Sequence, residues 1–319
     1  MLLAFAAIVA GLILLVWSSD KFVDGSVGIA ERLGMSKIMI GLTIVSLGTS
    51  APEIVVSITA ALTGAPDLAL GNAVGSNIAN IGLVLGVTAL IAALPVTRGM
   101  LREDLPALLA VTAATGFLLS DLTLSRGDGL ALIVILILLL YLMFRYKKEH
   151  PEELPVEADE IPDFPLKTSL ISFTVGMVLL VISSKILVWG AIEIATAMGV
   201  SEIVIGLTIV AIGTSLPELA ASVTSALRNH HDIAVGNIIG SNILNLLAVL
   251  SAAAVIQPIH LTGTVLFRDY GAMTIMTLLL ALFVILPKKE RKIAKPEGLI
   301  LLLCYIGYMA FLYQQTVSS

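Results

Sequence analysis

Charge is the first thing this sequence is short of. Asp, Glu, Lys and Arg make up 13% of its 319 residues, about half the share in a typical soluble domain. With 58% hydrophobic residues and a mean hydropathy of +1.03, that scarcity excludes a soluble globular protein. Cysteine is scarcer still, since Cys304 alone excludes an intrachain disulfide. Histidine occurs four times, and its one cluster, His230 and His231 before Asp232, reads as ordinary loop residues rather than a metal centre. The net charge of -5 says little about partners, because in a membrane protein the location of the charges matters more than their sum, and no nucleic-acid partner is expected. No basic residue precedes the first apolar run, Leu2 to Ser19, which therefore reads as a retained helix and not a cleaved signal.

What is present is a series of long apolar runs. Spanning the hydrocarbon takes about 20 residues of helix, and ten such segments lie near 2-19, 37-62, 68-94, 104-120, 127-146, 168-190, 202-227, 232-257, 265-287 and 297-314. Basic residues collect in cytoplasmic loops. Fifteen of the 18 fall after odd-numbered segments: Lys21, Arg32, Lys37, Arg98, Arg102, Arg145, Lys147, Lys148, Lys167, Arg228, Lys288, Lys289, Arg291, Lys292 and Lys295. Arg126 and Arg268 fall on the opposite side, and Lys185 lies near the outer end of the sixth segment, where it snorkels or pairs locally. Both termini are therefore expected outside. The acidic, proline-rich stretch 149-166 is expected in the cytoplasm as a linker between segments five and six.

The chain also repeats itself at a constant offset of 165 residues. "IGLTIVSLGTSAPEIVVSITAAL" (Ile40 to Leu62) and "IGLTIVAIGTSLPELAASVTSAL" (Ile205 to Leu227) agree at 15 of 23 positions. "GNAVGSNIANIGLVL" from Gly71 matches "GNIIGSNILNLLAVL" from Gly236. Five segments per half is an odd number, so the second half enters from the other side, as in inverted-repeat transporters. The expected architecture is an all-α membrane protein of ten transmembrane helices, with repeats at 1-148 and 167-319.

Pro52 and Pro217 each sit mid-segment, where the ring removes a backbone donor and clashes with the carbonyl four residues earlier. A break near Gly48 to Ser50 is expected, freeing carbonyls inside the membrane. Glu53 and Glu218 follow at once, and an unpaired carboxylate at the bilayer centre costs about 2.5-3.5 kcal/mol, so each must pair, bind a cation or be protonated. Thr49 and Ser50, with Thr214 and Ser215, precede them by four and three residues, close enough for their oxygens to converge. Asn72, Ser76 and Asn80 are spaced by four and form one polar stripe on an apolar helix, with Asn237, Ser241 and Asn245 as its twin. Two carboxylates among neutral oxygens make a hard site suited to Ca2+, Na+ or Mg2+, and irregular ligation favours Ca2+ over Mg2+.

At these residues the sequence resembles the two alpha-repeats of the sodium/calcium exchanger family, within the cation/calcium exchanger superfamily, over essentially its whole length. The resemblance implies antiport of Ca2+ against Na+ in the plasma membrane, normally extruding Ca2+, three Na+ for each Ca2+. Segments 1 and 6 would slide past a core of segments 2, 3, 7 and 8. It implies Glu53, Glu218, Thr49 and Thr214 as Ca2+ ligands. Na+ sites would be lined by Ser50, Ser76, Ser215, Ser241, Asn80 and Asn245 and by the backbone carbonyls of Ser46 and Ala211, with Pro52, Pro217, Asn72 and Asn237 supporting. Asn245 departs from the Asp that several sodium-coupled relatives carry. No bound cofactor and no obligatory protein partner are expected, only the lipid bilayer and the transported ions.

Other readings carry less. Pro and Gly in membrane helices also serve packing, and Ser and Asn stripes also serve as interhelical glue, but neither accounts for paired central glutamates. Trp17 reads as an interface anchor. A hydrolase built on Ser50 or Ser215 lacks a nearby base, and a non-transporting scaffold explains neither the repeat nor the buried acids. A proton/calcium exchanger of the same fold remains open from composition alone.

Overall fold

The computed structural model describes residues 1-33, 37-149, 165-199, 211-286 and 291-318. Within them the chain is almost wholly helical: α1 (Leu2–Leu33), α2 (37-49), α3 (Ala51–Leu62), α4 (Pro66–Ile91), α5 (Leu105–Leu118), α6 (Arg126–Glu149), α7 (Leu166–Ala197), α8 (Ala211–Thr214), α9 (Leu216–Leu227), α10 (His231–Ile256), α11 (Gly263–Ile285) and α12 (Lys295–Ser318). Seven of these are long and apolar enough to cross a membrane individually, and the bent pair α2 and α3 makes an eighth. The expected linker 149-166 and the expected start of the seventh segment, 202-210, fall almost entirely outside the described residues.

Burial sorts the helices. In α4 and α10, 72% and 83% of the spanning window is buried, against 28% or less in α1, α6, α7 and α12. The two helices with the polar stripes thus form the centre, and the outer helices turn Leu, Val and Ile outward as a lipid-facing surface does.

α1 and α7 are each 32 residues long, about 48 Å at 1.5 Å per residue, well beyond a bilayer core of about 30 Å. The expected ends at 19 and 190 are corrected accordingly. α1 runs on through Asp20, Lys21 and Asp24 because Phe22, Val23, Val27, Ile29 and Ala30 bury themselves against Ile40, Val45, Ala221 and Ile233. Lys21 and Arg32 therefore lie on a helix rather than in a loop, and Lys185 is an exposed residue in the body of α7, not near its end. His231 and Asp232 likewise open helix α10, and no group of three or more His, Cys, Asp or Glu able to hold a metal occurs among the described residues.

The two long helices pack closely on each other, with Phe22 and Phe173 rings 5.0 Å apart. Two glycines allow it: a Cβ on Gly25 would lie 2.2 Å from the Phe173 nitrogen, and one on Gly176 2.4 Å from the Phe22 nitrogen. Neither backbone can give way. Gly25→Ala and Gly176→Ala are each expected to cost about 1-3 kcal/mol through overpacking, read as a lower thermal midpoint in detergent. An unchanged midpoint would contradict the close approach.

Two features have no counterpart in the hydrophobic pattern. Among the described residues, five segments form wide π-helical turns: Gly41–Val45, Asn80–Leu85, Met100–Asp104, Asn245–Val249 and Leu266–Tyr270. Those at Asn80 and Asn245 are 165 residues apart. Such turns re-aim the side chains that follow and recur at functional sites. Two short antiparallel ribbons also link the halves. β1 (Leu94–Pro95) pairs with β4 (Lys292–Ile293), and β2 (Thr123–Leu124) with β3 (Ile259–His260). Leu94, Leu124, Ile259 and Ile293 are buried, so each ribbon pins one half to the other.

Candidate cation site

The site starts from the two helix breaks. α2 meets α3 at 53°, and Ser50 takes φ -87°, ψ 2° at the join. Ser215 takes φ -91°, ψ 4° between α8 and α9. Pro52 and Pro217 lie in the first turn of the second fragment, where a missing N–H leaves nothing unpaired. The expected break is therefore present in both motifs, and it puts Glu53 and Glu218 in the first turns of α3 and α9, at the positive end of each fragment. Both glutamates are buried.

Each motif is braced by the stripe that follows it, through the same contacts twice. Asn72 donates its Nδ2 to the Glu53 carbonyl at 3.1 Å and to Ser57 Oγ at 3.0 Å. Asn237 donates to the Glu218 carbonyl at 3.4 Å and to Ser222 Oγ at 3.0 Å. These two asparagines hold the backbone under the glutamates.

The hydroxyls converge differently from the expectation. Thr49 and Ser50 do not turn to Glu53 of their own motif; the break swings them across to the other half. Thr49 Oγ1 donates to Asn237 Oδ1 at 3.1 Å and lies 3.5 Å from Ser241 Oγ, while Ser50 Oγ donates to Glu218 Oε1 at 3.3 Å. The two motifs therefore meet. Ser46 is buried, and its carbonyl accepts from the Ser50 nitrogen at 2.9 Å and lies 3.3 Å from Thr49 Oγ1. Ala211 is the first described residue of helix α8. Several buried polar atoms have no hydrogen-bond partner among the described residues: Glu53 Oε2, Glu218 Oε2, Ser215 Oγ, Asn245 Oδ1 and both side-chain atoms of Asn80. Buried polar groups are normally satisfied, so a cluster of orphaned oxygens on two carboxylates and their neighbours marks a place for a cation.

A cavity of about 600 Å³ lies along the α4 stripe, lined by Asn72, Ser76 and Thr214 together with Asp67, Arg268 and Asp269. Arg268 is neutralised in place, donating to Asp269 Oδ1 at 2.7 Å and Oδ2 at 2.8 Å, while Tyr308 OH donates to Asp269 Oδ1 at 3.0 Å. Two further asparagines, Asn77 and Asn242, are buried beside the stripes. Spacing by four passed over them, but their identity at the 165-residue offset was a signal available in the sequence.

Comparison with known proteins decides the family. The family model described as "Sodium/calcium exchanger protein" matches residues 3-145 and again residues 168-314. The chain belongs to the sodium/calcium exchanger family. This exchanger is 44% identical over 317 residues to the putative antiporter CaxA of Alkalimonas amylolytica, covering 98% of this chain and 99% of the relative. It is 30% identical over 348 residues to the sodium/calcium exchanger MaX1 of Methanosarcina acetivorans, covering 97% and 98%. Its structure is similar to that of the sodium-calcium exchanger NCX_Mj soaked with zero Na+ and Ca2+, with a TM-score of 0.81 and 34% identity over 98% of this chain and 99% of that one. The exchanger is thus a helical multi-pass membrane protein of an ion-antiporter family.

Proposed function

We propose that this exchanger moves Ca2+ against Na+ by alternating access, extruding Ca2+ as Na+ enters. The observation that carries the reading is the pair of buried glutamates, each presenting an unpartnered oxygen within walls of neutral oxygens. Such a site has the hardness and irregularity that Ca2+ accepts. Glu53 and Glu218 are the central ligands, with Thr49 and Thr214 adding oxygens for Ca2+. Ser50, Ser76, Ser215, Ser241, Asn80, Asn245 and the carbonyls of Ser46 and Ala211 serve Na+. Detergent-purified protein loaded with 45Ca2+ should release it to NaCl and keep it in choline chloride of equal ionic strength; retention in NaCl would sink the Na+ assignment. A proton-coupled exchanger is the competing reading, and the neutral Asn245 favours it, because two carboxylates alone exchange two protons for one Ca2+.

The repeat supplies the mechanism. The twin asparagine braces, the π-turns at Asn80 and Asn245, the exchanged ribbons and the family model matching twice all support two related halves, 1-148 and 167-319. Five spans in each would make them inverted, with both termini outside and 149-166 in the cytoplasm. Inverted halves allow two states of opposite access. One set of contacts breaks the symmetry. α1 is tied to α9 by Ser19 Oγ and Thr224 Oγ1 at 2.7 Å, and Arg228 pairs with Asp20 at 2.9 Å and with Asp24. No comparably extensive contact joins the counterpart pair α7 and α3 among the described residues. The α1–α9 contacts close the Arg228 end, and together with the cavity lined by Asp67 they support a state facing outward.

Orientation is tested directly. In a background with Cys304 replaced by Ser, a cysteine at Glu157 should react with impermeant reagent only from the cytoplasmic side, and one at Ser319 only from outside. Labelling of both from the same side would refute the inverted arrangement.

A further inference from the structure

We propose that Asn77 is a positioning residue that fixes which atom of Asn245 faces the cation pocket. The inference rests on the cation-site reading and adds to it a residue that touches no ion. Asn77 and Asn245 are both buried, one on each central helix. Asn77 Nδ2 donates to the Asn242 carbonyl at 3.1 Å, with Met273 Sδ at 3.5 Å as a second acceptor. A backbone carbonyl can only accept, so the nitrogen of Asn77 must point there and its Oδ1 must point away. That Oδ1 can only accept in turn. It meets Asn245 at 3.1 Å, which obliges Asn245 to present Nδ2 to Asn77 and to turn its own Oδ1 the other way. Asn245 Oδ1 is buried without a partner, and the turn Asn245–Val249 packs on α3, the helix of Glu53.

The orientation of Asn245 is thus set by a chain anchored on a backbone carbonyl. Without it, the NH2 group could turn toward the pocket and repel a cation. The device matters here because residue 245 is an amide; a carboxylate would offer oxygen whichever way it turned. It also exists on one side only. In the counterpart pair, Asn242 and Asn80 have no partner on either side-chain atom among the described residues, so neither end of the Asn80 amide is selected.

The test is a double-mutant cycle on the intact exchanger in detergent, reading the NaCl concentration that releases half of bound 45Ca2+. Leu matches Asn in size and offers no polar atom. Asn77→Leu should raise that concentration roughly tenfold, the effect of one lost or misdirected polar contact. In an Asn245→Asp background the same change should shift it less than twofold. A merely structural role predicts the same factor in both, and that result, or no shift in either, overturns the proposal. Should Asn77→Leu fail to fold, Asn77→Ala is read in the same way, and failure of both to fold assigns Asn77 a structural role and likewise overturns it. Wild-type protein that releases no 45Ca2+ to Na+ is a separate failure: it removes the sodium-site reading, and this inference with it.

Discussion

Replacing either Glu53 or Glu218 by Gln is expected to abolish Ca2+ transport, with uptake falling at least roughly 100-fold while the protein stays folded. The reason is the balance of charge in the site. The candidate pocket holds two carboxylates and otherwise neutral oxygens, so it carries -2 against a divalent ion. One Gln leaves the ion with half its compensation in a buried place where water cannot make up the rest, and losing one partner of a buried charge pair costs about 3-5 kcal/mol. Stability should move the other way or not at all, because a carboxylate in the bilayer carries an insertion cost that an amide largely lacks. The Asn72 and Asn237 braces go to backbone carbonyls and to Ser57 and Ser222, so they survive both substitutions. Initial 45Ca2+ uptake into proteoliposomes, alongside size-exclusion profiles, checks both halves of the expectation. Near-normal uptake in either variant would remove that residue from the site.

Much of this site was legible before any coordinates. A proline inside a membrane helix has few physical outcomes, and Pro52 and Pro217 produce the expected break at Ser50 and Ser215. Helical spacing placed Asn72, Ser76 and Asn80 on one stripe, and the repeat placed their twins. The cross-half contacts were not legible. Ser50 reaches Glu218 and Thr49 reaches Asn237 because two breaks face each other, and spacing within one helix says nothing about the other. The π-turns at Asn80 and Asn245 were hidden for a related reason: an extra residue per turn follows from packing between helices, not from local propensity. The overrun of α1 past Ser19 had a similar origin. Polar Asp20, Lys21 and Asp24 read as a loop until Phe22 and Val27 are seen buried on α2, α9 and α10. Asn77 escaped because spacing by four selects the stripe, and a neighbour that points between helices falls outside it.

The second large effect is electrical. With both glutamates ionised, bound Ca2+ would bring the pocket to neutrality, whereas the three Na+ that the family resemblance implies would leave it at +1. A full cycle therefore moves one net charge. One charge across 100 mV is worth about 2.3 kcal/mol, or roughly fiftyfold in the equilibrium Ca2+ ratio. For Na+-loaded vesicles taking up Ca2+, three positive charges leave for two that enter, so an inside-positive potential drives uptake and an inside-negative one opposes it. Protons compete with Ca2+ for the same two carboxylates, so uptake should also fall at low pH. The proton-coupled alternative moves two charges each way and has no voltage dependence.

The central claim, that Na+ and not H+ exchanges for Ca2+ at Glu53 and Glu218, is therefore met most directly by 45Ca2+ uptake into proteoliposomes with the potential clamped and the Na+ and pH gradients imposed one at a time. The expected result is uptake that requires internal Na+, accelerates at inside-positive potential and disappears in Glu53→Gln and Glu218→Gln. Uptake that persists without Na+, ignores the potential and follows the pH gradient would contradict the account and make the protein a proton-coupled exchanger.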